Sequence, residues 1–348
     1  MAKTVFVGMS GGVDSSVSAT LLKEQGYNVV GVYMKNWTKS LPGFDCPWKE
    51  DFADAKRVAV QLGIDFKVFD FEKQYKHKVV DYMIDEFKAG RTPNPDIMCN
   101  QEVKFKLFLD TCLEEGADLI ATGHYAVVKD CKMYKAKDAN KDQTYFLYRI
   151  TEEALSKTIF PLGEYTKPEV RKLAKKFGLV TAEKKESMGI CFVGKVGIKE
   201  FLSQYVKTKP GKIIDENNQV VGEHDGAIFY TIGQRSGLGV GGGLPYYVTG
   251  KDMKQNEVYV TTNLDDENLW YKELNLTDVH WINQVSKDGA MVQVRTRHRA
   301  PLIDATLQLV SGSELKVKLN DEIRAATPGQ SAALYEGDLV IGGGIIAK

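Results

Sequence analysis

The stretch TVFVGMSGGVDSS, residues 4–16, decides the fold of this chain of 348 residues. Its apolar start is typical of a buried strand, and apolar residues at helical spacing follow the glycine-containing loop as far as Gly26. A second apolar run, NVVGVYM at 28–34, comes next. Strand, helix and strand in this order predict a β-α-β unit, and hence a parallel sheet flanked by helices.

The same alternation continues to about residue 125. It predicts a helix from Asp51 to Gly63, a strand at 64–70, a long helix ending at Gly90, a helix from about Asn100 to Gly116 and a strand at 117–121. Two further helices are expected, one starting at Thr166 and ending before Gly178, the other at about 197–206. The fold class is therefore α/β, with a doubly wound parallel sheet in the first domain.

The character of the sequence changes after Pro210. Short alternating runs such as MVQVRTRH at 291–298 and SAALYEGDLVIGGG at 331–344 are separated by turn residues. Such runs predict small antiparallel β-barrel domains. We therefore expect three domains, at 1–208, 209–273 and 274–348.

The loop Ser10–Ser15 lies where the first strand ends and the first helix begins. Unpaired backbone N–H groups and the helix dipole favour a phosphate at such a position. Gly11 and Gly12 allow the backbone to approach a ligand, and Asp14 could hold a metal ion beside the phosphates. The loop has no GK[ST] ending, so it is not a Walker A motif. An ordinary glycine-containing turn without a ligand is the alternative at this point.

The cysteines number five and show neither a CxxC motif nor zinc-ligand spacing, which argues against a disulfide scaffold and a structural zinc site. Cys99 follows two prolines close to the expected start of a helix, where a thiol pKa is lowered. Cys191 lies in the apolar stretch SMGICFVG. The two thiols could meet, carry a persulfide and resolve it as a disulfide. The alternative is a buried, inert cysteine, as we interpret Cys112 and Cys131.

The chain carries 46 basic and 46 acidic side chains, so a polyanion would have to be met by local basic patches. The clearest patch consists of Arg295, Arg297, His298 and Arg299. Strand alternation would place the three arginines on one face of a sheet, which is also how an ordinary solvated face looks.

A membrane location is not expected. The sequence lacks a run of eighteen or more apolar residues and a signal or transit segment before TVFVG. We therefore expect a cytoplasmic protein without a membrane partner.

Nine motifs occur in a characteristic order: GMSGGVDSS, RTPNPDIMCN, KFK, TGHYA, KDQTYFLY, GICFVG, TIGQR, GLGVGG and TPGQSA. Together they cover essentially the whole chain. In this order they resemble the tRNA-specific 2-thiouridylases, a family of PP-loop ATPases. Enzymes of that superfamily split ATP into AMP and pyrophosphate to adenylate a carbonyl oxygen.

The resemblance implies the residues of the site. Cys191 would accept sulfur as a persulfide, Cys99 would be its partner thiol, and Asp96 would act on the target base as a general acid or base or by polarising it. The residues implied for ATP binding are Gly8, Met9, Ser10, Gly11, Gly12, Val13, Asp14, Ser15, Met34 and Gly123. The residues implied for tRNA binding are Asn94, Pro95, Asp96, His124, Lys141, Asp142, Gln143, Arg297, His298 and Gln330. Mg²⁺ is expected with ATP, and no residue is assigned to a resident metal.

The implied reaction is 2-thiolation of the wobble uridine, position 34, in tRNAs for lysine, glutamate and glutamine. ATP converts the C2 oxygen into an adenylate, and persulfide sulfur then replaces it, leaving AMP and pyrophosphate. The cysteines would finish as a disulfide that needs a reductant, and a cysteine desulfurase or sulfur-relay protein would supply sulfur. Because the base must leave its stack, a pocket is expected. The segment Gly237–Gly243 could order over the RNA or be a flexible connection.

Three alternatives stay open. Asp96, Cys99 and Cys191 offer three ligands for an iron–sulfur cluster with one open iron. The same loop also serves PP-loop amidating ligases, and the barrel domains could form a non-catalytic RNA-binding module. The chain departs from the family pattern at Met98, Met188, His298 and 39–49. The last departure leaves Cys46 without an expected role.

Overall fold

The computed structural model describes residues 2–40, 46–185, 197–241, 243–311 and 313–347. The strands in the first half of the chain are β1 Thr4–Gly8, β2 Asn28–Lys35, β3 Asp65–Asp70, β4 Leu119–Ala121, β5 Val127–Lys129, β6 Lys132–Tyr134 and β7 Thr158–Ile159. Five of them form a parallel sheet in the order β3-β2-β1-β4-β7. The central strand β1 is buried from Val5 to Gly8. The predicted parallel sheet is confirmed.

Helices flank this sheet. Five helices span Val13–Glu24, Trp48–Leu62, Glu152–Ser156, Lys167–Lys176 and Ile198–Leu202 in the described residues. Two continuous helices combine α-helical and π-helical segments: one consists of Glu72–Tyr75, Lys76–Asp81 and Tyr82–Lys88, and the other of Pro95–Met98, Cys99–Leu107 and Phe108–Glu114. Shorter 3₁₀ turns lie at Thr144–Phe146, Ala227–Phe229 and Glu267–Leu269. The stop at Gly63 is confirmed by its left-handed φ of 59°, although that helix starts at Trp48, before the expected Asp51. Within the described ranges, no helix is long and apolar enough to cross a lipid bilayer.

The helix expected to start near Asn100 starts earlier, at Pro95. Asn94 caps it, because its side-chain oxygen accepts hydrogen bonds from the backbone N–H groups of Asp96 at 3.2 Å and Ile97 at 3.4 Å. Proline at the first helical position needs no N–H partner there. Asp96 and Cys99 therefore lie within one helix, which continues through wide π-type turns at Cys99–Leu107.

The central part of the chain forms a four-stranded sheet from β8 Gly211–Ile214, β9 Val220–His224, β10 Tyr247–Asp252 and β11 Glu257–Thr261. Its order is β10-β11-β8-β9. The pairings of β10 with β11 and of β8 with β9 are antiparallel, as expected. The pairing of β11 with β8, where these two hairpins meet, is parallel. Leu238 is buried, which anchors the glycine-rich connection between β9 and β10 at that point.

The last part is a closed six-stranded antiparallel barrel. Its strands are β12 Trp270–Trp281, β13 Met291–Arg295, β14 Ile303–Ser311, β15 Glu314–Arg324, β16 Ser331–Glu336 and β17 Leu339–Ile346. Neighbours follow the order β12-β15-β14-β13-β16-β17, and pairing of β12 with β17 closes the ring. This confirms the predicted C-terminal barrel.

The hairpin β5–β6 was not predicted from the sequence. It extends the barrel sheet, since Met133 and Tyr134 of β6 pair with Val340 and Leu339 of β17. Nearby, the buried Tyr145 hydroxyl donates toward the carbonyl oxygens of Thr296 at 3.1 Å and Ser331 at 3.2 Å. The first domain and the barrel therefore share a core.

Candidate active site

A cavity of about 300 Å³ lies at the carboxyl ends of β1, β2 and β4. This edge is where open α/β sheets bind ligands. Seven of the ten predicted ATP residues line the cavity: Gly8, Met9, Ser10, Asp14, Ser15, Met34 and Gly123. The cavity is also lined by Tyr33, Asn36, Trp37, Cys46, Pro47, Trp48, Asp51, Lys104, Thr122, His124 and Gln143.

The loop between β1 and the first helix is held by its own hydroxyls. The Ser15 hydroxyl accepts from the backbone N–H of Ser10 at 3.2 Å and donates to the carbonyl oxygen of Gly12 at 3.1 Å. Gly11 has a φ of +74°, and a Cβ there would lie 2.2 Å from the carbonyl oxygen of Asp51. The Val13 side chain is buried in the core. Gly11, Gly12 and Val13 do not line the cavity. These three support the loop's shape.

Gly123 shows why the loop after β4 carries a glycine. A Cβ at Gly123 would lie 2.8 Å from the backbone nitrogen of Ser15 and 2.9 Å from the carbonyl carbon of Asp14. The loop after β4 thus packs directly on the first turn of the first helix. This close packing brings the two loops together on one side of the cavity.

Asp14 has a cationic partner that the sequence did not indicate. The Lys167 ammonium lies 2.7 Å from Asp14 Oδ1 and 2.8 Å from Oδ2, and the Tyr125 hydroxyl donates to Oδ1 at 2.9 Å. Asp51, the other cavity carboxylate, lies 2.8 Å from the Lys184 ammonium. Both carboxylates are therefore ion-paired, which does not fit the expected use of Asp14 as a direct metal ligand. No local pattern marks Lys167, since it meets Asp14 only in the tertiary fold.

The helix that starts at Pro95 carries the predicted catalytic residues Asp96 and Cys99. Cys99 is buried and Asp96 half-buried. Burial raises the pKa of the Asp96 carboxyl, and the Lys104 ammonium opposes that rise. The predicted partner thiol, Cys191, and the variant Met188 lie outside the described residues.

His124 connects this helix to the cavity. Its Nδ1 lies 2.8 Å from the Thr122 hydroxyl and its Nε2 lies 3.4 Å from the Lys104 ammonium. Burial, assisted by the Lys104 charge, holds the pKa of His124 well below its ordinary value. The ring is thus neutral at neutral pH. Because an ammonium group only donates, Nε2 accepts from Lys104 and Nδ1–H donates to Thr122.

The segment before the helix that starts at Pro95 is held by the rest of the chain. Gln330 Nε2 donates to the carbonyl oxygens of Thr92 at 2.7 Å and Pro93 at 3.3 Å. The backbone N–H of Thr92 donates to the carbonyl oxygen of Pro328 at 2.8 Å, and its hydroxyl lies 3.2 Å from that of Thr231. Thus the TIGQR and TPGQSA motifs meet the RTPNPD motif.

The predicted tRNA residues 141–143 are only partly exposed. Asp142 is buried, and its carboxylate accepts from Thr144 and from Arg295, whose guanidinium lies 2.8 Å away. Gln143 Oε1 accepts from the backbone N–H of Tyr125 at 3.0 Å, and Gln143 also lines the cavity at the end of the parallel sheet. The structure thus gives both side chains internal partners.

The expectation that Arg295, Arg297 and Arg299 share one sheet face is wrong. Strand β13 ends at Arg295, so alternation does not continue to the other two. Arg295 turns inward to Asp142, whereas Arg297 is exposed and donates to the carbonyl oxygen of Ala325 at 2.9 Å. His298 stacks on Phe146 with ring centroids 4.7 Å apart, and burial lowers its pKa.

The remaining cysteines differ in their surroundings. Cys112 is fully buried as expected, and burial raises the pKa of its thiol. Cys131 is only half-buried, because it lies in the β5–β6 turn with a left-handed φ of 58°, which corrects the expected burial. Cys46 lines the cavity at the end of the parallel sheet, and burial raises its thiol pKa. Among the residues that the structure describes, no three metal-binding side chains cluster.

The parallel sheet and its cavity define a nucleotide-binding α/β domain joined to a β-barrel, and comparisons with known proteins agree. Models described as a tRNA methyl transferase HUP domain, a tRNA methyl transferase PRC-barrel domain and an aminomethyltransferase β-barrel domain match residues 3–195, 199–262 and 271–346. The tRNA-specific 2-thiouridylases MnmA of Bacillus cytotoxicus and Bacillus anthracis are each 47% identical, over 98% of this chain and 94% of theirs. The chain therefore belongs to the tRNA-specific 2-thiouridylase family.

Solved structures overlap less completely. A 4-thiouridine synthetase–RNA complex with bound ATP is 21% identical with a TM-score of 0.39, covering 59% of this chain and 50% of that chain. A predicted tRNA methyltransferase subunit from Methanocaldococcus jannaschii is 19% identical with a TM-score of 0.33, covering 50% of this chain and 76% of that chain. Overlaps this partial do not define a shared architecture.

Proposed function

We propose that this protein uses ATP to adenylate the C2 oxygen of the wobble uridine, position 34, in tRNA and then replaces that oxygen with sulfur. The observation that carries the proposal is the helix starting at Pro95. It bears Asp96 and Cys99 near its start and Lys104 on the wall of the nucleotide cavity. In this proposal, one helix carries residues for both the nucleotide chemistry and the thiol chemistry. Family membership supports tRNA as the substrate.

In the first step, the uridine O2 attacks the α-phosphorus of ATP. The O2–P bond forms, the bond to the β-phosphate oxygen breaks, and pyrophosphate leaves toward the loop Ser10–Ser15. Asp96 takes the N3 proton of the uridine. Its raised pKa favours this role, because a carboxylate whose pKa is closer to the operating pH is a stronger base.

In the second step, the terminal sulfur of a Cys191 persulfide attacks C2, and the C2–O bond to AMP breaks. The Cys99 thiolate then attacks the Cys191 sulfur, the bond to the transferred sulfur breaks, and Asp96 returns the proton to N3. The products are 2-thiouridine and a Cys99–Cys191 disulfide, which a dithiol reductant reopens. The persulfide sulfur itself comes from a cysteine desulfurase or a sulfur-relay protein.

Mg²⁺ would be held mainly by the ATP phosphates, because both cavity carboxylates are already ion-paired with lysines. In the iron–sulfur alternative, Asp96, Cys99 and Cys191 would hold the cluster, which would activate sulfide. Only Asp96 and Cys99 of these three are described, and they lie on one helix.

The tRNA would approach across the helix start at Asn94, Pro95 and Asp96 toward the cavity. His124 and Gln143 line that cavity, Lys141 lies beside Gln143, and Arg297 is exposed on the barrel. For Asp142, Gln330 and His298 we propose a positioning role in tRNA binding, since each has an internal contact. The substrates are the tRNAs for lysine, glutamate and glutamine, modified in the cytoplasm.

Mass spectrometry of nucleosides tests the proposal. An unmodified tRNA transcript is incubated anaerobically with the protein, ATP, Mg²⁺ and a sulfide or persulfide source. We expect 2-thiouridine that requires ATP, lost in Cys99→Ser and, with a persulfide donor, in Cys191→Ser. Cys131→Ser, in the β5–β6 turn, is the matched control and should retain activity.

The same experiment separates the alternatives. Thiolation by the wild-type protein with free sulfide as the sulfur source, if it requires reconstituted iron, would favour the cluster route. A methylated uridine formed with S-adenosylmethionine, as the descriptions of the matched domain models suggest, would contradict the proposal. Pyrophosphate release with ammonia and no thiolated nucleoside would indicate an amidating ligase.

A further inference from the structure

The KFK motif, residues 104–106, has no role in the chemistry assigned so far. Its first lysine, Lys104, lines the nucleotide cavity, whereas its second, Lys106, is exposed. The two side chains therefore face different surroundings although they share one helix.

Lys104 differs from the other lysines near the cavity in its charge partner. Lys167 is paired with Asp14, and Lys184 is paired with Asp51 and Asp54. Within the described ranges, no salt bridge joins Lys104 to a carboxylate. Its polar neighbour is instead the neutral imidazole of His124, at 3.4 Å. A half-buried ammonium group on a cavity wall, with no carboxylate in ion-pair contact and only a longer-range interaction with Asp96, favours an anionic ligand.

His124 orients this ammonium group without cancelling its charge. The imidazole is fixed by its hydrogen bond to Thr122 at 2.8 Å and packs against the rings of Phe105, at 5.8 Å, and Phe160, at 6.1 Å. A carboxylate in its place would neutralise the lysine. A neutral acceptor holds Lys104 and leaves its full charge for a ligand.

We propose that Lys104 binds the α-phosphate of ATP and of the adenylated uridine. This inference rests on the proposed function. The α-phosphate is bonded on one side to the pyrophosphate, which the loop Ser10–Ser15 receives, and on the other to the uridine oxygen beside Asp96. Lys104 lies on the cavity wall that contains this loop, and on the helix that carries Asp96.

The chemistry of the step requires a cation at this position. Negative charge spreads over the α-phosphate oxygens as O2 attacks and pyrophosphate leaves, and a fixed ammonium group stabilises that charge. After the adenylate has formed, the same contact stabilises AMP as the leaving group while sulfur adds at C2. Lys104 also lowers the pKa of Asp96, so binding an anion there would raise it.

The variants that test this are Lys104→Met, which keeps the apolar stem without the charge, and Lys104→Arg, which keeps the charge. Lys106→Met is the matched control, because Lys106 is 62% exposed and its ammonium lies 3.7 Å from Glu102 on the helix surface. The first readout is tRNA-dependent pyrophosphate release in a single turnover. We expect Lys104→Met to slow it about 100-fold, Lys104→Arg to slow it less, and Lys106→Met to leave it unchanged.

The second readout is binding measured by calorimetry, without turnover. Wild-type protein should bind AMP more tightly than adenosine, and Lys104→Met should remove most of that difference while keeping its affinity for adenosine. Retained adenosine affinity shows that the variant has folded. The assignment of Lys104 is wrong if the affinities for AMP and adenosine differ by the same factor in the wild type and in Lys104→Met. It is also wrong if the rate of pyrophosphate release in Lys104→Met stays within about threefold of the wild-type rate. Failure of the wild-type protein to release pyrophosphate with tRNA would instead overturn the proposed function.

Discussion

The side-chain amide of Gln330 in the barrel donates a hydrogen bond of 2.7 Å to the carbonyl oxygen of Thr92, just before the helix that starts at Pro95. A residue implied as a tRNA contact thus also supports the segment that presents Asp96. Gly329 contributes to the same contact, since its φ is +90° and a Cβ there would lie 2.9 Å from the backbone nitrogen of Thr92. The C-terminal barrel therefore helps to position the helix that carries Asp96 and Cys99.

Gln330→Ala should lower the rate of tRNA-dependent pyrophosphate release more than it weakens tRNA binding, because the helix start loses its support. The lost hydrogen bonds should reduce the free energy of unfolding by about 1 kcal/mol. Gln308→Ala, on an exposed position of β14, is the control for both measurements. A variant with a normal rate at saturating tRNA and only a weaker affinity would favour a direct tRNA contact instead.

Asp142→Asn should destabilise the fold, because it leaves the Arg295 guanidinium without its buried counter-charge. The pair lies at 2.8 Å with the Asp142 and Arg295 side chains only 3% and 12% exposed. Removal of one partner from such a pair costs about 3–5 kcal/mol, measured by denaturant unfolding. Asp338→Asn removes an exposed partner of Lys135 and should cost no more than about 1 kcal/mol. Equal effects of the two substitutions would contradict this assignment.

Asp96→Asn should stabilise the protein while abolishing activity. Burial raises the pKa of this carboxyl above its ordinary value of 3.8, so the folded protein binds the proton more tightly than the unfolded chain. Ionisation of Asp96 therefore lowers the free energy of unfolding as the pH rises from 3.8 through the pKa of the folded protein. The free energy of unfolding stays lower by this amount at neutral pH.

The thermal midpoint of Asp96→Asn should accordingly exceed that of the wild type at about pH 7, and the difference should shrink toward about pH 4. Asp85→Asn is the control, because its carboxylate is exposed on the neighbouring helix. A lower thermal midpoint for Asp96→Asn than for the wild type at neutral pH would contradict this prediction. It would show that the ionised Asp96 carboxylate is more stable in the folded protein than in the unfolded chain.

Gly11→Ala and Gly12→Ala should act differently although the residues are adjacent. Alanine at position 11 would need a left-handed φ and would place its Cβ 2.2 Å from the Asp51 carbonyl oxygen, so we expect a loss of stability of about 1–3 kcal/mol. Gly12 has a φ of −93°, and the nearest atom to its Cβ would be the Ser10 hydroxyl at 3.5 Å.

Gly12→Ala should therefore keep its thermal midpoint. Its affinity for ATP should fall about tenfold if the backbone approaches a phosphate at this position, a loss of about 1.4 kcal/mol that calorimetry resolves. Unchanged ATP affinity in Gly12→Ala would show that the phosphates lie elsewhere in the cavity.

The amino-acid sequence by itself determined the parallel sheet, the glycine-containing loop at Ser10–Ser15 and the C-terminal barrel. These features depend on local patterns, namely apolar periodicity, turn residues and the glycines between a strand and a helix. The helix start at Pro95 was also encoded locally, by the cap at Asn94, although we expected it later along the chain.

Only the tertiary structure decided which ionisable side chains meet. Asp14 with Lys167, Asp142 with Arg295 and Lys104 with His124 are distant in sequence and carry no pattern that pairs them. The inward turn of Arg295 follows from the end of β13 and the burial of Asp142, so strand alternation could not reveal it. Long-range packing brings such side chains together, and no local periodicity or turn pattern in the sequence encodes those contacts.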